Sequence, residues 1–283
     1  MKKIISIVLA ALLCVSLFAA CGDTTAPAET NKGAEPTGTE AADATETTGA
    51  AAAQFTTVEE GKLIMATNAF FPPYEYYEGE KIVGIDAEIA EAIAKKLGLE
   101  LVINNMEFNS IITAVTTKAA DMGLAGMTVT EDRLKEVDFS ISYASGVQAI
   151  VVKEGSAITT VDDLYAEGAA YKVGVQLGTT GDIYASDDFG ADRVTQYNNG
   201  NEAILALQKG DVDCVIIDNE PAKSFVAANE GLKVLDTAYA EEDYAACFAQ
   251  DNDALCAAVN AAIEELITDG TIDGIIEKYI PSK

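Results

Sequence analysis

The sequence predicts an α/β protein of two lobes, each a mostly parallel sheet flanked by helices, with two crossover segments between them. Three observations predict it. Short apolar runs alternate with stretches whose apolar residues recur every three to four positions, as in β-α-β units. The same rhythm restarts after Val152. Two extended segments, Gly146 to Val152 and Ala245 to Phe248, separate the middle of the chain from its flanks, so the first and last parts are expected to form one lobe and the continuous middle the other.

Lys62 to Thr67 reads as the first strand. After a long loop, Asp86 is expected to cap a helix whose stripe is Ile89, Ile93 and Leu97, closed by Gly98. Leu99 to Ile103 reads as the second strand, Ile111, Ile112, Val115 and Ala119 as one face of a second helix, and Met122 to Met127 as a third strand. Thr130 followed by Glu131 and Asp132 reads as a helix N-cap with an acidic first turn. In the middle, a helix is expected around Val161 to Tyr165, a strand at Tyr171 to Gln176, a turn at Leu177 to Gly181 with a helix beyond it, and a helix over Asn201 to Leu207 ended by Gly210. Val212 to Ile217 is almost uninterruptedly apolar, the pattern of a strand buried on both faces, and it ends at Asp218. Two further helices carry Leu255, Val259, Ile263 and Leu266, then Ile272, Ile275, Ile276 and Tyr279.

Residues 1–20 hold Lys2 and Lys3, an uncharged apolar run and small residues before Cys21, the layout of a secretory signal. The run is at the short limit of the ~17–25 residues a spanning helix needs. Residues 21–55 are rich in Ala, Thr, Gly, Glu and Pro with few large apolar side chains, and are expected to be a disordered tether. The net charge is −28, and removing the leader takes away two lysines and no acid. Nucleic acid and anionic lipid are therefore poor partners. The chain has no histidine, and Cys214, Cys247 and Cys256 lack metal-ligand spacing, which argues against a zinc site or a histidine-based hydrolase and allows at most one disulfide among the three. No cofactor and no metal are expected.

In open parallel sheets ligands bind beyond the carboxyl ends of the strands. The first strand leads into Asn68, Phe71 and two prolines that stiffen the loop; the second leads to Glu107 and Phe108; the third leads to Gly126, Thr128 and Arg133. An arginine there offers a planar fork of donors matched to a carboxylate. In the second lobe, Gln176 precedes the Gly178 to Gly181 turn, where Thr180 opens a helix suited to an anion. Asp218 at the end of an apolar strand needs a cation or several donors, or else caps the helix that Asn219, Glu220 and Pro221 can begin. A carboxylate clamp, an ammonium acceptor and facing aromatics together describe an α-amino acid pocket.

The pieces Phe71-Pro-Pro-Tyr-Glu-Tyr, Gly84-Ile-Asp-Ala-Glu-Ile-Ala-Glu-Ala-Ile-Ala-Lys-Lys-Leu-Gly98, Ala125-Gly-Met-Thr-Val-Thr-Glu-Asp-Arg133, Asp138-Phe-Ser140, Gly178-Thr-Thr180 and Asp218 resemble the type 2 periplasmic-type solute-binding proteins, family 3, of polar amino acid ATP-binding cassette transporters. The resemblance covers Lys62 to Tyr279. It implies the two-lobed periplasmic-binding-protein fold, with a signal peptide over 1–20, a lipidated Cys21 and linker over 21–55, the first lobe over 56–146 and 241–283, and the second over 147–240. It implies that Arg133 holds the ligand carboxylate with backbone N–H groups near Thr128 and Thr180. Asp218, the Gly126 carbonyl and the Thr128 hydroxyl would take the ammonium, and Phe71 and Phe108 would sandwich the side chain. Phe18-Ala-Ala-Cys21 resembles a lipoprotein box, which implies a palmitate-bearing membrane anchor at Cys21. Asn68 stands where relatives that bind basic amino acids or glutamine commonly carry aspartate, so a neutral polar amino acid is expected unless Glu107, Gln176 or Asp182 supplies a charge. The expected protein is a monomeric, extracytoplasmic, lipid-anchored receptor, not an enzyme, whose partners are an amino acid and the permease subunits. The alternatives are a sensory module and a dehydratase-like enzyme on the same fold.

Overall fold

The computed structural model describes residues 55–281. The leader, Cys21 and the linker through residue 54 lie outside the described residues. Strand β1 (Lys62–Thr67) begins the first sheet. The following loop is itself structured: β2 (Phe70–Phe71), β3 (Glu75–Glu78) and β4 (Lys81–Val83) form a small antiparallel sheet that the sequence reading treated as loop. Helix α1 (Ile85–Leu97) starts from Gly84, not Asp86, and closes on Gly98 in the left-handed conformation. Asp86 lies buried in the first turn, where its Oδ2 accepts the Gly126 N–H at 2.7 Å and the Tyr143 hydroxyl at 2.8 Å. A residue that reads as a cap is therefore a clamp on a distant loop.

Strand β5 (Glu100–Asn105), α2 (Ile111–Thr116), β6 (Met122–Gly123) and β7 (Val137–Phe139) complete the first half. The apolar run Met122 to Met127 is a strand only over its first two residues. It then leaves β1 to bring Gly126 and Thr128 over the site, and Thr128 bridges to Tyr244. The expected helix after Thr130 is a single 3-10 turn, Arg133–Lys135, although the Thr130 hydroxyl does accept the Arg133 N–H at 3.2 Å.

The middle of the chain comprises β8 (Ala144–Lys153), α3 (Asp162–Tyr165), β9 (Val173–Gln176), α4 (Thr180–Phe189), β10 (Val194–Tyr197), α5 (Gly200–Lys209), β11 (Cys214–Asp218), α6 (Asn219–Ala228), β12 (Leu232–Val234) and β13 (Ala240–Tyr244). Then β14 (Cys247–Ala249), α7 (Asp253–Thr268) and α8 (Thr271–Tyr279) return to the first sheet. The first sheet has the order β5-β1-β6-β14-β7 and the second β10-β9-β11-β8-β12, with β13 also on β8. Gly146 to Val152, expected as an extended crossover segment, lies within β8, and Ala245 to Phe248, expected as the other, runs into β14. The chain crosses beside them, where β8 and β13 begin their pairing at Ala144 and Tyr244. Parallel pairs join β5, β1 and β6, and β10, β9 and β11; the strands next to the crossings are antiparallel.

Both sheets are covered on both faces, and alternation along a strand assigns the faces. Leu63 and Met65 of β1 pack under α1, α7 and α8, whereas Ile64 and Ala66 pack under α2. In β11, Val215 and Ile217 face one core while Cys214 and Ile216 face another. This two-sided burial is why Val212 to Ile217 reads as an unbroken apolar run. Cys214, Cys247 and Cys256 are free thiols, and burial pushes those of Cys214 and Cys247 up to about 12.

Candidate functional site

The strand ends of the two sheets face each other across a cleft with walls formed by Phe71, Phe108, Gly126, Thr128, Arg133, Gln176, Thr180 and Asp218, all expected from sequence. Gln148, Glu242 and Tyr244 also line it and were not foreseen. The enclosed cavity measures about 20 Å³, room for roughly one water. The two walls thus lie close together here.

Arg133 is buried, with its guanidinium carbon 5.4 Å from the centre of the Phe108 ring. Nη1 donates to the Thr128 carbonyl at 2.7 Å and Nη2 to the Gly178 carbonyl at 3.0 Å, so this side chain already ties one wall to the other. Burial lowers its pKa, opposed first by the nearby charge of Glu242. Gly178 belongs to the β9–α4 turn. That turn is shaped by Thr179, which caps α4, and by Asp182, whose carboxylate takes the Gly178 N–H at 2.9 Å and the Gln196 amide at 2.8 Å. Asp182 therefore builds the turn, Glu107 is exposed, and neither adds a charge to the cleft.

Asn68 sits behind the lining. Its amide donates to the Met106 carbonyl at 2.7 Å, and its oxygen accepts the Gln176 amide at 3.0 Å, a second bond between the walls. Phe71 stacks on Tyr74 at 5.6 Å between ring centres. It comes so close to Gly126 that a β-carbon there would lie 2.8 Å from the ring; at φ +52° the backbone also favours glycine.

Asp218 caps a helix and is also met by other protein donors. Its Oδ1 caps α6 by accepting the Glu220 N–H at 3.2 Å, and Oδ2 accepts the Val147 N–H at 3.2 Å and the Tyr244 hydroxyl. Desolvation nevertheless pushes its carboxyl up to about 7; those hydrogen bonds oppose the shift and Glu242 adds to it. Three accepted bonds leave one of about four carboxylate acceptor positions for a ligand. Glu242 is buried on β13. Its Oε2 accepts Thr128 Oγ1 and Gln148 Nε2, each at 3.0 Å, while Oε1 has no well-formed hydrogen bond, and the neighbouring Tyr184 hydroxyl interacts with this carboxylate through both its charge and a hydrogen bond.

A family model for bacterial extracellular solute-binding proteins, family 3, matches residues 63–282. The chain belongs to this family. The arginine-binding extracellular protein ArtP of Bacillus subtilis (strain 168) is 35% identical over 223 residues, covering 77% of this chain and 86% of that protein. The glutamine-binding ABC transporter protein GlnH of the same organism is 30% identical over 283 residues, covering 99% and 98%. Crystal structures of the arginine-, lysine-, histidine-binding protein ArtJ from Geobacillus stearothermophilus superpose with a TM-score of 0.73 at 32% identity, covering 78% and 96%. The family 3 receptors are extracytoplasmic solute-binding proteins of amino acid transport, not enzymes, and the two-sheet architecture here is their two-lobed type 2 fold.

Proposed function

We propose that this chain is a lipid-tethered receptor that captures a polar amino acid outside the cytoplasm and delivers it to an ATP-binding cassette permease. The observation that carries the reading is a buried guanidinium, Arg133, in the same closed cleft as a buried carboxylate, Asp218, with two aromatic rings beside them. An α-amino acid presents the complementary pair of charges on one carbon. Arg133, the Thr128 region and the first turn of α4 at Thr180 take the carboxylate. Asp218, with the Gly126 carbonyl and the Thr128 hydroxyl, takes the ammonium. Phe71 and Phe108 enclose the side chain, and the Asn68–Gln176 amide pair meets its polar end. The named relatives bind arginine, glutamine, lysine and histidine, and a cleft of this chemistry suits ligands of that kind. Hydrogen bonds to charged groups contribute ~1.5–3 kcal/mol each. A few of them supply the ~8.2 kcal/mol of micromolar affinity after the cost of closure.

The tether consists of a signal over 1–20, a lipidated Cys21 and a linker to residue 55; the lobes are 56–146 with 241–283, and 147–240. The test is a thermal-shift screen of the protein against the common amino acids, since a ligand that binds only the folded state raises its stability by RT ln(1 + [L]/Kd). A shift confined to one chemical group of amino acids is expected. Absence of any shift would reject the reading.

A further inference from the structure

We propose that Glu242 is a ligand-selecting residue, a second carboxylate of the cleft that makes the receptor prefer amino acids of net charge +1. The proposal rests on the receptor reading above and goes beyond it in assigning the charge of the ligand.

The geometry of the second sheet carries it. Strand β8 runs between β11 and β13, with Asp218 on one neighbour and Glu242 on the other. Glu242 pairs directly with Gly146, and a β-carbon at Gly146 would come within 2.6 Å of Asp218 Oδ2 and closer still to the Tyr244 hydroxyl. The glycine thus lets both acids reach the same side of the cleft. Glu242 and Tyr244 alternate with the exposed Glu241 and Asp243, so the strand's pleat points Glu242 inward. Glu242 borders the closed cavity and also an open recess of about 750 Å³ with Thr128, Gly146, Tyr184, Glu241 and Asp243 on its walls. It is 7% exposed, and no donor beyond the neighbouring Tyr184 hydroxyl meets Oε1. A buried carboxylate oxygen left so is costly unless a further donor or cation meets it.

Charge balance gives the same answer. The side chains lining the cleft include one cation, Arg133, and two acids, Asp218 and Glu242. The Glu75–Asp86 pair lies behind Gly126 and does not line it. A zwitterion of zero net charge leaves the closed cleft one negative charge in excess; an amino acid with one further positive group cancels it. In a closed site such a charge acts over several ångströms. The expectation of a neutral ligand rested on Asn68; Glu242 does not replace the carboxylate missing there but adds, beside Thr128 and Asp218, a negative charge to the cleft as a whole.

The experiment is titration calorimetry of L-arginine, its near-isosteric neutral analogue L-citrulline, and L-glutamine against the wild-type protein and Glu242→Gln, with the melting temperature of each recorded. Wild type is expected to bind L-arginine at least tenfold more tightly than L-citrulline. Glu242→Gln, which keeps an acceptor for Thr128, is expected to weaken L-arginine at least tenfold and to change L-glutamine by less than about threefold. Equal wild-type affinities for L-arginine and L-citrulline overturn the proposal even if the variant fails to fold. Equal losses for all ligands in the variant, or none, also overturn it by making Glu242 a structural support of Thr128 and Gln148. Binding of neutral amino acids alone overturns it while leaving the receptor reading intact, whereas wild type that binds no amino acid refutes the receptor reading itself.

Discussion

Replacing Arg133 by alanine tests the carboxylate clamp most directly. The guanidinium has five N–H donors. Two are spent on the carbonyls of Thr128 and Gly178, which leaves up to three for a ligand carboxylate. Without the side chain, that carboxylate is buried against Phe108 and the α4 turn with its strongest partner gone, and breaking one side of a buried ion pair costs about 3–5 kcal/mol. Affinity should fall roughly 150- to 5000-fold. Arg133→Lys keeps the charge but not the fork and should fall between the alanine variant and wild type. The assay is calorimetry with whichever amino acid gives the largest thermal shift. A Kd for Arg133→Ala within about threefold of wild type would refute the reasoning and reduce Arg133 to a tie between the walls.

Three further outcomes are expected. Because the Asp218 carboxyl is pushed up to about 7, the native protein without ligand holds its proton in a range where the unfolded chain has lost it. Stability should therefore decline as pH rises from about 4 towards 7. Ligand ammonium demands the ionised form, so Kd should weaken about tenfold per unit as pH falls below 7 and level off above it; a pH series on wild type and Asp218→Asn checks both. Gly146→Ala drives a methyl group into the Tyr244 hydroxyl and Asp218, and urea melts should show a loss of about 1–3 kcal/mol. Burial, with Asp86 alongside, lifts Glu75 well above the usual carboxylate range, so the native acid is neutral and stability falls with rising pH as the unfolded chain ionises. Glu75→Gln should flatten that dependence in melting curves recorded from about pH 4 upward.

What was legible in the sequence followed burial. The helical stripes of α1, α7 and α8 and the two-sided run of β11 are long and apolar, and they read correctly because packing and local pattern agree. The small sheet β2–β4 escaped notice because Phe71-Pro-Pro and the polar Glu75 to Lys81 resemble a stiff loop. Asp86 read as a cap because acids favour helix starts; its bonds to Gly126 and Tyr143 are long-range and leave no local trace. Asn68, Phe71, Arg133 and Asp218 were legible because each follows or ends a recognisable strand. Glu242 and Tyr244 were not: Ala240-Glu-Glu-Asp-Tyr244 carries three acids in a row, the signature of a solvated loop. The usable clue was period two, with Glu242 and Tyr244 on one side and Glu241 and Asp243 on the other.

The placement of β14 between β6 and β7 sets an order of assembly. The second sheet draws all its strands from one continuous stretch, β8 through β13, and has everything it needs once Tyr244 has been made. The first sheet stays split, with β7 cut off from β6, until Cys247 to Ala249 arrive; α7 and α8, which roof Leu63 and Met65, come later still. A nascent chain therefore holds an unfinished first lobe until the segment after Tyr244 has been made, and the Arg133 wall of the cleft acquires its final support only after the Asp218 wall is already built.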